Sequence, residues 1–347
     1  MDRIGLTLGK FAPLHRGHQH LIETARAETD RLILLIYDCP GLSTPPLPVR
    51  AAWVRDLYPD VECIEAWDGP TEVGDTPEIR RRHEAYLHRI LAGRRITHFF
   101  SSEFYGDHVS RALGAMDRRL DSDRRRFPVS GTAVRADPWR HRRMIHPRVY
   151  RDLIINAVLL GGPSTGKTTL AAALADRHGT VWMPEYGREY WQRHQMDHRL
   201  TSDQLTVLAQ GHLEREEALL SRANRVLFTD TNALTTFIYA RYYDVEAPPA
   251  LGALADRCAA RYDLVFLCGD EIPFEDTPDR SGPASREVIQ RRTLAELAVR
   301  KIPYVPLRGS VADRMAQVEA VLSGFAKFDN PAGVIGRRPP GPRPGCR

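Results

Sequence analysis

The stretch LTLGKFAPLHRGH at residues 6–18 decides the fold of the first half of the chain. Its apolar start is typical of a short buried strand, and the residues after His18 have the periodicity of an amphipathic helix. A turn between a strand and a helix offers free backbone N–H groups and the positive end of a helix dipole. His15 and His18, separated by Gly17, add two imidazoles that can donate to phosphate oxygens. The segment therefore predicts a phosphate-binding loop.

Other interpretations of the two histidines are that they are surface residues or that they ligate a metal ion together with His20. A lone H-x-x-H is a weak metal signal. The downstream segment PVSGTAVR at residues 128–135 favours phosphate binding instead, because it combines hydroxyls at a predicted helix start with a guanidinium.

Strand-like and helical patterns alternate on both sides of the first loop. The predicted strands of the first half lie at residues 4–8, 32–37, 61–66 and 98–101, with helices from about 18, near 48–57 and within 77–92. Right-handed crossovers arrange such strands into a parallel sheet with helices on both faces. Ligands of these sheets bind beyond the carboxyl ends of the strands.

The pattern starts again in the second half. Its predicted strands lie at residues 154–160, 181–184, 226–229, 264–268 and 304–307. We therefore predict an α/β fold with two doubly wound parallel-sheet domains, a Rossmann-like domain at residues 1–148 and a P-loop domain at residues 149–328. The tail at residues 329–347 is rich in Pro, Gly and Arg, which predicts disorder.

The segment GGPSTGKT at residues 161–168 fits the P-loop pattern, with a buried strand before it and a helix after it. In such a loop the backbone N–H groups hold phosphates, Lys167 bridges the β and γ phosphates, and Thr168 gives a hydroxyl to Mg²⁺. The nucleotide-binding residues predicted here are Gly161, Gly162, Pro163, Ser164, Thr165, Gly166, Thr168 and Thr169.

Two later strands of the second half end in acidic residues, Glu185 in EYGRE and Asp230 in FTDT. Small-molecule kinases need one carboxylate near Mg²⁺ and another that accepts a hydroxyl proton. We predict that Asp230, with Thr168, serves the metal and that Glu185 is the base. The alternative for each is a solvated carboxylate at a strand end. In the loop EDTPDRSGPASRE, Arg280 and Arg286 are candidates for a lid over the phosphates, although each is also an ordinary residue of a polar loop.

The composition limits the class of protein. A formal charge of +5 and a pI near 9.0 suit binding of polyanions, either nucleotides or nucleic acid. Five cysteines without metal-like spacing predict no disulfides and no zinc site. The sequence has no apolar run long enough for a membrane span and no signal-peptide pattern, so we expect a cytoplasmic protein.

The segments GKFAPLHRGH and VSGTAVR together resemble the nucleotidyltransferase superfamily. The resemblance implies that His15 and His18 contact the triphosphate of ATP, and that Ser130, Thr132 and Arg135 hold its β and γ phosphates. It also implies an adenine pocket near SSEFYG, although a Ser/Gly segment can be a simple turn. The remaining residues predicted for this site are Gly9, Lys10, Phe11, Gly17, Ser101 and Ser102, with Lys10 counted among the catalytic residues.

An adenylyltransferase followed by a P-loop domain with EYGRE and then TDTNALTT resembles the NadR family of bifunctional NMN adenylyltransferase and ribosylnicotinamide kinase proteins. The resemblance implies that nicotinamide riboside, NMN and ATP are the substrates, with Mg²⁺ as cofactor, and that Arg188 and Glu189 bind substrate. Some members begin with a helix-turn-helix domain, but here the first strand starts near Ile4, so DNA-binding regulation is not expected.

Two other interpretations of the sequence stay open. The same architecture would suit a phosphopantetheine or flavin-type adenylyltransferase joined to another small-molecule kinase. The basic runs at residues 123–128 and 139–144 would suit an NAD-sensing regulator that binds nucleic acid, although these arginines could equally serve the triphosphate. A homo-oligomer is neither required nor excluded by the sequence.

Overall fold

A computed structural model describes residues 2–41, 45–72, 74–195, 200–243, 245–274 and 283–328. These residues divide into two compact units, 2–150 with Phe328, and 151–327. The tail predicted at residues 329–347 lies outside the described residues.

The first unit contains a five-stranded parallel sheet whose strands have the order β3-β2-β1-β4-β5. Its strands are β1 Ile4–Gly9, β2 Arg31–Tyr37, β3 Glu62–Ala66, β4 His98–Ser101 and β5 Met116–Arg119. Its helices are α1 Arg16–Glu28, α2 Leu47–Leu57, α3 Pro77–Leu91, α4 Gly106–Leu113 and α5 Gly131–Ala136. A short 3₁₀ helix at Arg142–Met144 follows, and α6 Pro147–Leu153 contains the point where the chain passes from one unit to the next.

The connections place the first loop at the centre of this sheet. The chain moves from β1 outward to β2 and β3, then returns to place β4 on the other side of β1. The carboxyl ends of β1 and β4 therefore flank the position where the strand order reverses, which is where ligands bind in such sheets. The edge strand β5 was not predicted, because its sequence MDRR is charged and mostly exposed rather than apolar.

The second unit contains another five-stranded parallel sheet, with the order β10-β9-β6-β8-β7. Its strands are β6 Ile155–Leu160, β7 Trp182–Met183, β8 Val226–Asp230, β9 Leu264–Cys268 and β10 Val305–Leu307. Its helices are α7 Lys167–His178, α8 Tyr186–His194, α9 Ser202–Leu220, α10 Ala233–Tyr242, α11 Pro249–Arg261, α12 Pro283–Val299 and α13 Val311–Gly324.

The central strand β6 is buried on both faces. Val158 and Leu160 belong to a core shared with α9, α10, α11 and α12, whereas Ala157 and Leu159 belong to a core shared with α7 and α13. This alternation explains why β6 has a continuous apolar sequence. The predicted fold class, two doubly wound α/β domains, is confirmed.

Candidate active sites

The first candidate site is the loop between β1 and α1. His15 immediately precedes α1 in an extended conformation, and its ring stacks on that of His18 with the centroids 3.7 Å apart. The backbone N–H of His15 donates to Nδ1 of His18 at 3.4 Å. The ring of Phe11 meets His18 edge-on at 4.9 Å between centroids. The loop therefore holds the two imidazoles as a packed pair.

Burial keeps this pair uncharged. It lowers the pKa of His15 to about 4, and the positive charge of Arg124 acts in the same direction. Burial, followed by the neighbouring His15 and Arg124, also lowers the pKa of His18 well below 6.5. At neutral pH each ring therefore has one N–H donor and one acceptor nitrogen. A neutral ring can still donate to a phosphate oxygen.

We expect both imidazoles to stay neutral in the free protein under mildly acidic conditions. Because the folded-state pKa of His15 lies below that of an unfolded histidine, stability is lost as the pH falls from about 6.5 toward 4. A tenfold change in proton affinity corresponds to about 1.4 kcal/mol, so His15 alone lowers the free energy of unfolding by roughly 3 kcal/mol. NMR titration of ¹³C-histidine-labelled protein, with His15→Gln to assign the signal, measures the pKa. An ordinary histidine midpoint for His15 would contradict the buried neutral pair.

The segment before α5 comes next to the first loop. Ser130 precedes α5, and its Oγ accepts from the backbone N–H of Ala133 at 3.1 Å. The guanidinium of Arg135 donates to the carbonyl of Ala12 at 2.5 Å and to Oγ1 of Thr132 at 3.1 Å. A Cβ at Gly131 would lie 3.1 Å from the Ala12 carbonyl oxygen. This close approach gives a steric reason for glycine at position 131.

These segments line a cavity of about 550 Å³, here called the first-domain cavity. The sequence-predicted residues on its wall are Gly9, Lys10, Phe11, His18, Ser102, Ser130, Thr132 and Arg135. His15 and Gly17 line a smaller cavity of about 70 Å³ that shares His18 with it. Ser101 is only 2% exposed and lines neither cavity, so the structure places it behind the cavity wall.

Two arginines at this site were not among the predicted site residues. Arg124 has a positive φ of 52°, forms an ion pair with Glu103 at 3.1 Å, and lines both cavities. Arg50 is fully buried and donates to the carbonyls of Lys10 and, at 2.9 Å, Tyr37. Arg50 therefore fixes the backbone beside the loop. For Arg124 the available signal was the basic run at residues 123–128.

The second candidate site is the P-loop between β6 and α7. Ser164 and Gly166 have positive φ values of 57° and 77°, and Lys167 is the first residue of α7. The ammonium of Lys167 donates to the carbonyl of Gly162 at 2.8 Å and is buried. A Cβ at Gly162 would lie 2.7 Å from the carbonyl oxygen of Arg286, so only glycine fits there. The loop and its lysine line one cavity, the arrangement that phosphate-binding loops share.

A carboxylate and a hydroxyl meet beside this loop. Oγ1 of Thr168 donates to Oδ2 of Asp230 at 2.5 Å. Asp230 is fully buried at the end of β8, and its Oδ1 has no hydrogen-bond partner within the described ranges. Burial, followed by the charge of Glu185, raises the pKa of Asp230, while Lys167 opposes this effect. A buried carboxylate oxygen without a donor favours a cation close by.

Glu185 lies between two cavities of this unit. It precedes α8, and one of its carboxylate oxygens is 3.6 Å from the guanidinium of Arg188. Both residues line the P-loop cavity of about 200 Å³ and a second cavity of about 150 Å³, here called the α9 cavity because α9 forms one of its walls. A molecule in the α9 cavity would therefore meet Glu185 next to the phosphate pocket.

The other predicted residues of this unit are placed differently. Glu189 lines neither cavity; its carboxylate pairs with Arg215 at 2.7 Å and with Arg193 at 3.0 Å. The structure therefore places Glu189 outside both cavities, and its contact with substrate stays a prediction. Arg280 lies outside the described residues. Arg286 is buried and donates to the carbonyls of Asp270 and Ile272, so it holds the turn after β9 rather than serving as a free lid residue.

Two residues that support the P-loop were missed from sequence. Gln290 of α12 accepts from the backbone N–H of Gly162 at 2.7 Å and donates to the carbonyl of Cys268 at 3.0 Å. Arg314 of α13 is fully buried and donates to the carbonyl of Thr165 at 2.6 Å. Neither belongs to a motif, because each acts on the loop from a distant helix.

Comparisons with known proteins match a separate family model to each half of the chain. Residues 6–137 match the family model described as cytidylyltransferase-like, and residues 156–314 match a model described as an AAA domain. The trifunctional NAD biosynthesis/regulator protein NadR of Escherichia coli is 27% identical over 299 residues, which cover 78% of this chain and 70% of that protein. The protein of the same name from Salmonella typhimurium is 28% identical over 335 residues, covering 88% and 78%.

Solved structures agree at the level of the fold. A NadR protein in complex with NAD and AMP-PNP superposes with a TM-score of 0.56 at 22% identity, covering 93% of this chain and 96% of that one. A NadR protein in complex with NR gives the same TM-score and coverage at 24% identity.

Fold, sites and family matches together define a protein in which a cytidylyltransferase-like domain is followed by a P-loop domain. Over most of its length the chain is similar to NadR proteins, as the sequence motifs predicted. Among the helices that the structure describes, none is long and apolar enough to cross a membrane.

Proposed function

We propose that this chain is a bifunctional enzyme of NAD biosynthesis. Its second domain phosphorylates nicotinamide riboside with ATP to give NMN, and its first domain transfers an adenylyl group from ATP to NMN, giving NAD and pyrophosphate. The observation that carries the proposal is that one NadR-like chain holds two separate phosphate-binding loops, each opening into its own cavity. The NadR structures with NAD, AMP-PNP and NR bound support these substrates.

Adenylyl transfer needs positioning and charge stabilisation more than proton transfer. The phosphate of NMN is already ionised, so its oxygen attacks the α-phosphate of ATP without a base, and pyrophosphate leaves. His18 lies on the cavity wall and His15 stacks against it, so their N–H groups are available for the oxygens that gain charge. The ammonium of Lys10 and the guanidinium of Arg135 would balance the charge of the leaving pyrophosphate.

Phosphorylation of the riboside does need a proton acceptor. The 5′ hydroxyl would enter from the α9 cavity, and Glu185 would accept its proton as the oxygen attacks the γ-phosphate of ATP. Lys167 would exchange the carbonyl of Gly162 for phosphate oxygens of ATP. Arg188, which also faces both cavities, would bind either the substrate or the transferred phosphoryl group.

The residues present fit a magnesium ion. Asp230 and Thr168 provide oxygen ligands beside the P-loop, and Oδ1 of Asp230 has no donor in the part of the chain that is described. No cluster of three His, Cys, Asp or Glu residues that could hold a metal occurs among the described residues, which agrees with a site completed by nucleotide phosphates and water. A bound Mg²⁺ would neutralise charge on the β and γ phosphates.

The proposal predicts a defined set of products. The protein is incubated with ATP, Mg²⁺ and a panel of nucleosides and nucleotides, and the products are identified by mass. We expect nicotinamide riboside to give NMN and then NAD, and supplied NMN to give NAD directly. Adenylylation of phosphopantetheine or of flavin mononucleotide instead of NMN would overturn the substrate assignment.

A further inference from the structure

The α9 cavity has one end at the P-loop and one end away from it. The end at the P-loop is marked by the residues that line both cavities: Glu185, Arg188, Thr231, Thr235 and Tyr239. The far end is lined by Trp191, Leu205, Leu208, His212, Thr236, Tyr243 and Val245, among others. If the 5′ hydroxyl of a nucleoside lies at Glu185, its base lies at this far end.

His212 is an unusual residue in this wall. It belongs to the buried face of α9, one turn after Leu208 and one turn before Glu216, and is only 3% exposed. Its Nε2 is buried without a hydrogen-bond partner in the described ranges. Oε2 of Glu216 is 3.9 Å away, which is too far for a hydrogen bond.

Glu216 does not satisfy His212 because other donors already occupy it. The fully buried carboxylate accepts from Nδ2 of Asn156 at 2.8 Å, from Nε of Arg261 at 2.6 Å and from the hydroxyl of Tyr262 at 2.8 Å. These donors come from other elements of the unit, so the carboxylate is held in place. Burial, followed by the charge of Arg261, lowers the pKa of His212 to about 4. The imidazole is therefore neutral, with one donor and one acceptor nitrogen.

His212 lines the α9 cavity, while its Nε2 lies on the side of Glu216. The imidazole therefore puts a polar ring into a mostly apolar wall, which favours a ligand that can hydrogen-bond the edge of the ring that faces the cavity. A carboxamide carries both an N–H donor and a carbonyl acceptor, so it can pair with that edge whichever tautomer the neutral imidazole adopts. We propose that His212 is a specificity residue of the kinase site, which hydrogen-bonds the carboxamide of the substrate's pyridine ring. This inference rests on the proposed phosphorylation of nicotinamide riboside and adds the group by which the base is recognised.

The experiment compares two ribosides on three proteins. Nicotinamide riboside is compared with the riboside of unsubstituted pyridine, which keeps the ribose, the ring and its positive charge but lacks the carboxamide. The proteins are the wild type, His212→Leu and the control Leu208→Ala, which alters the same wall one helical turn away without removing a polar group. The measured quantity is kcat/KM for phosphorylation, with the melting temperature as a check on folding.

The wild type should prefer nicotinamide riboside by roughly 10- to 100-fold, the effect of one well-made hydrogen bond in a buried site. His212→Leu should bring this ratio close to one, mainly by raising KM for nicotinamide riboside. Leu208→Ala should weaken both ribosides alike and keep the ratio. His212→Asn, which keeps a donor and an acceptor, should recover part of the preference.

Equal losses for the two ribosides in His212→Leu would show that His212 only fills space, and the inference would be wrong while the proposed function stood. A wild type with nearly equal kcat/KM for the two ribosides would also overturn the inference on His212 and leave the proposed function standing. A wild type that phosphorylates other nucleosides but neither of these ribosides would overturn the proposed function, and this inference with it.

Discussion

Replacing Glu185 with glutamine should lower the turnover of nicotinamide riboside phosphorylation by about 10²- to 10⁴-fold, the usual contribution of a general base. Glutamine keeps the shape of the side chain but cannot accept the proton of the 5′ hydroxyl. Because Glu185 lies where the P-loop cavity and the α9 cavity meet, the affinity for riboside should change little. Steady-state kinetics, with kcat and KM determined separately, checks this.

The same chain offers two comparison variants. Glu189→Gln removes a carboxylate from the same helix, but that carboxylate pairs with Arg215 outside both cavities, so turnover should stay near normal.

Asp230→Asn should instead raise the Mg²⁺ concentration needed for activity. Near-normal turnover in Glu185→Gln, or an unchanged metal dependence in Asp230→Asn, would refute the division of roles between these two carboxylates.

Replacing His18 with alanine should lower the rate of adenylyl transfer to NMN by about 10²- to 10³-fold. This is the usual effect of removing one preorganised donor to a charged transition state. The reason is that His18 lines the first-domain cavity and is held by its stacking on His15. Phosphorylation of the riboside should be preserved, since it depends on the P-loop of the other domain. Product formation from supplied NMN, followed by mass, measures the effect.

His88→Ala is a suitable control, because His88 is an exposed histidine on α3. Its adenylyl transfer should match that of the wild type. The role of His18 would have to be withdrawn if His18→Ala kept its rate with NMN while its fold was intact.

Much of the fold and the centre of each site could be predicted from the sequence. The strands β4 and β9 occupy the predicted residues, because each is a short apolar run between polar segments. The P-loop was identifiable because a fixed glycine and lysine spacing followed a buried strand. Both signals are local, so a single sequence suffices to detect them.

The parts that were missed depend on long-range packing. Arg314 reaches the carbonyl of Thr165 although the two residues are 149 positions apart, and nothing near either position indicates the contact. The partner of Glu189 could not be predicted from EYGRE either, because its carboxylate pairs with Arg215 of α9, which lies over the ring of Tyr186. The partner of such a side chain depends on which helix packs against its own helix.

The central claim is that two separate sites in one chain carry out consecutive reactions, and a mixing experiment tests it most directly. Lys167→Ala and His18→Ala are each given nicotinamide riboside, ATP and Mg²⁺, alone and then together, and the products are followed by mass. Lys167→Ala alone should leave the riboside unchanged, His18→Ala alone should accumulate NMN, and the mixture should make NAD. A mixture that makes no NAD, from variants that are both folded, would contradict the account.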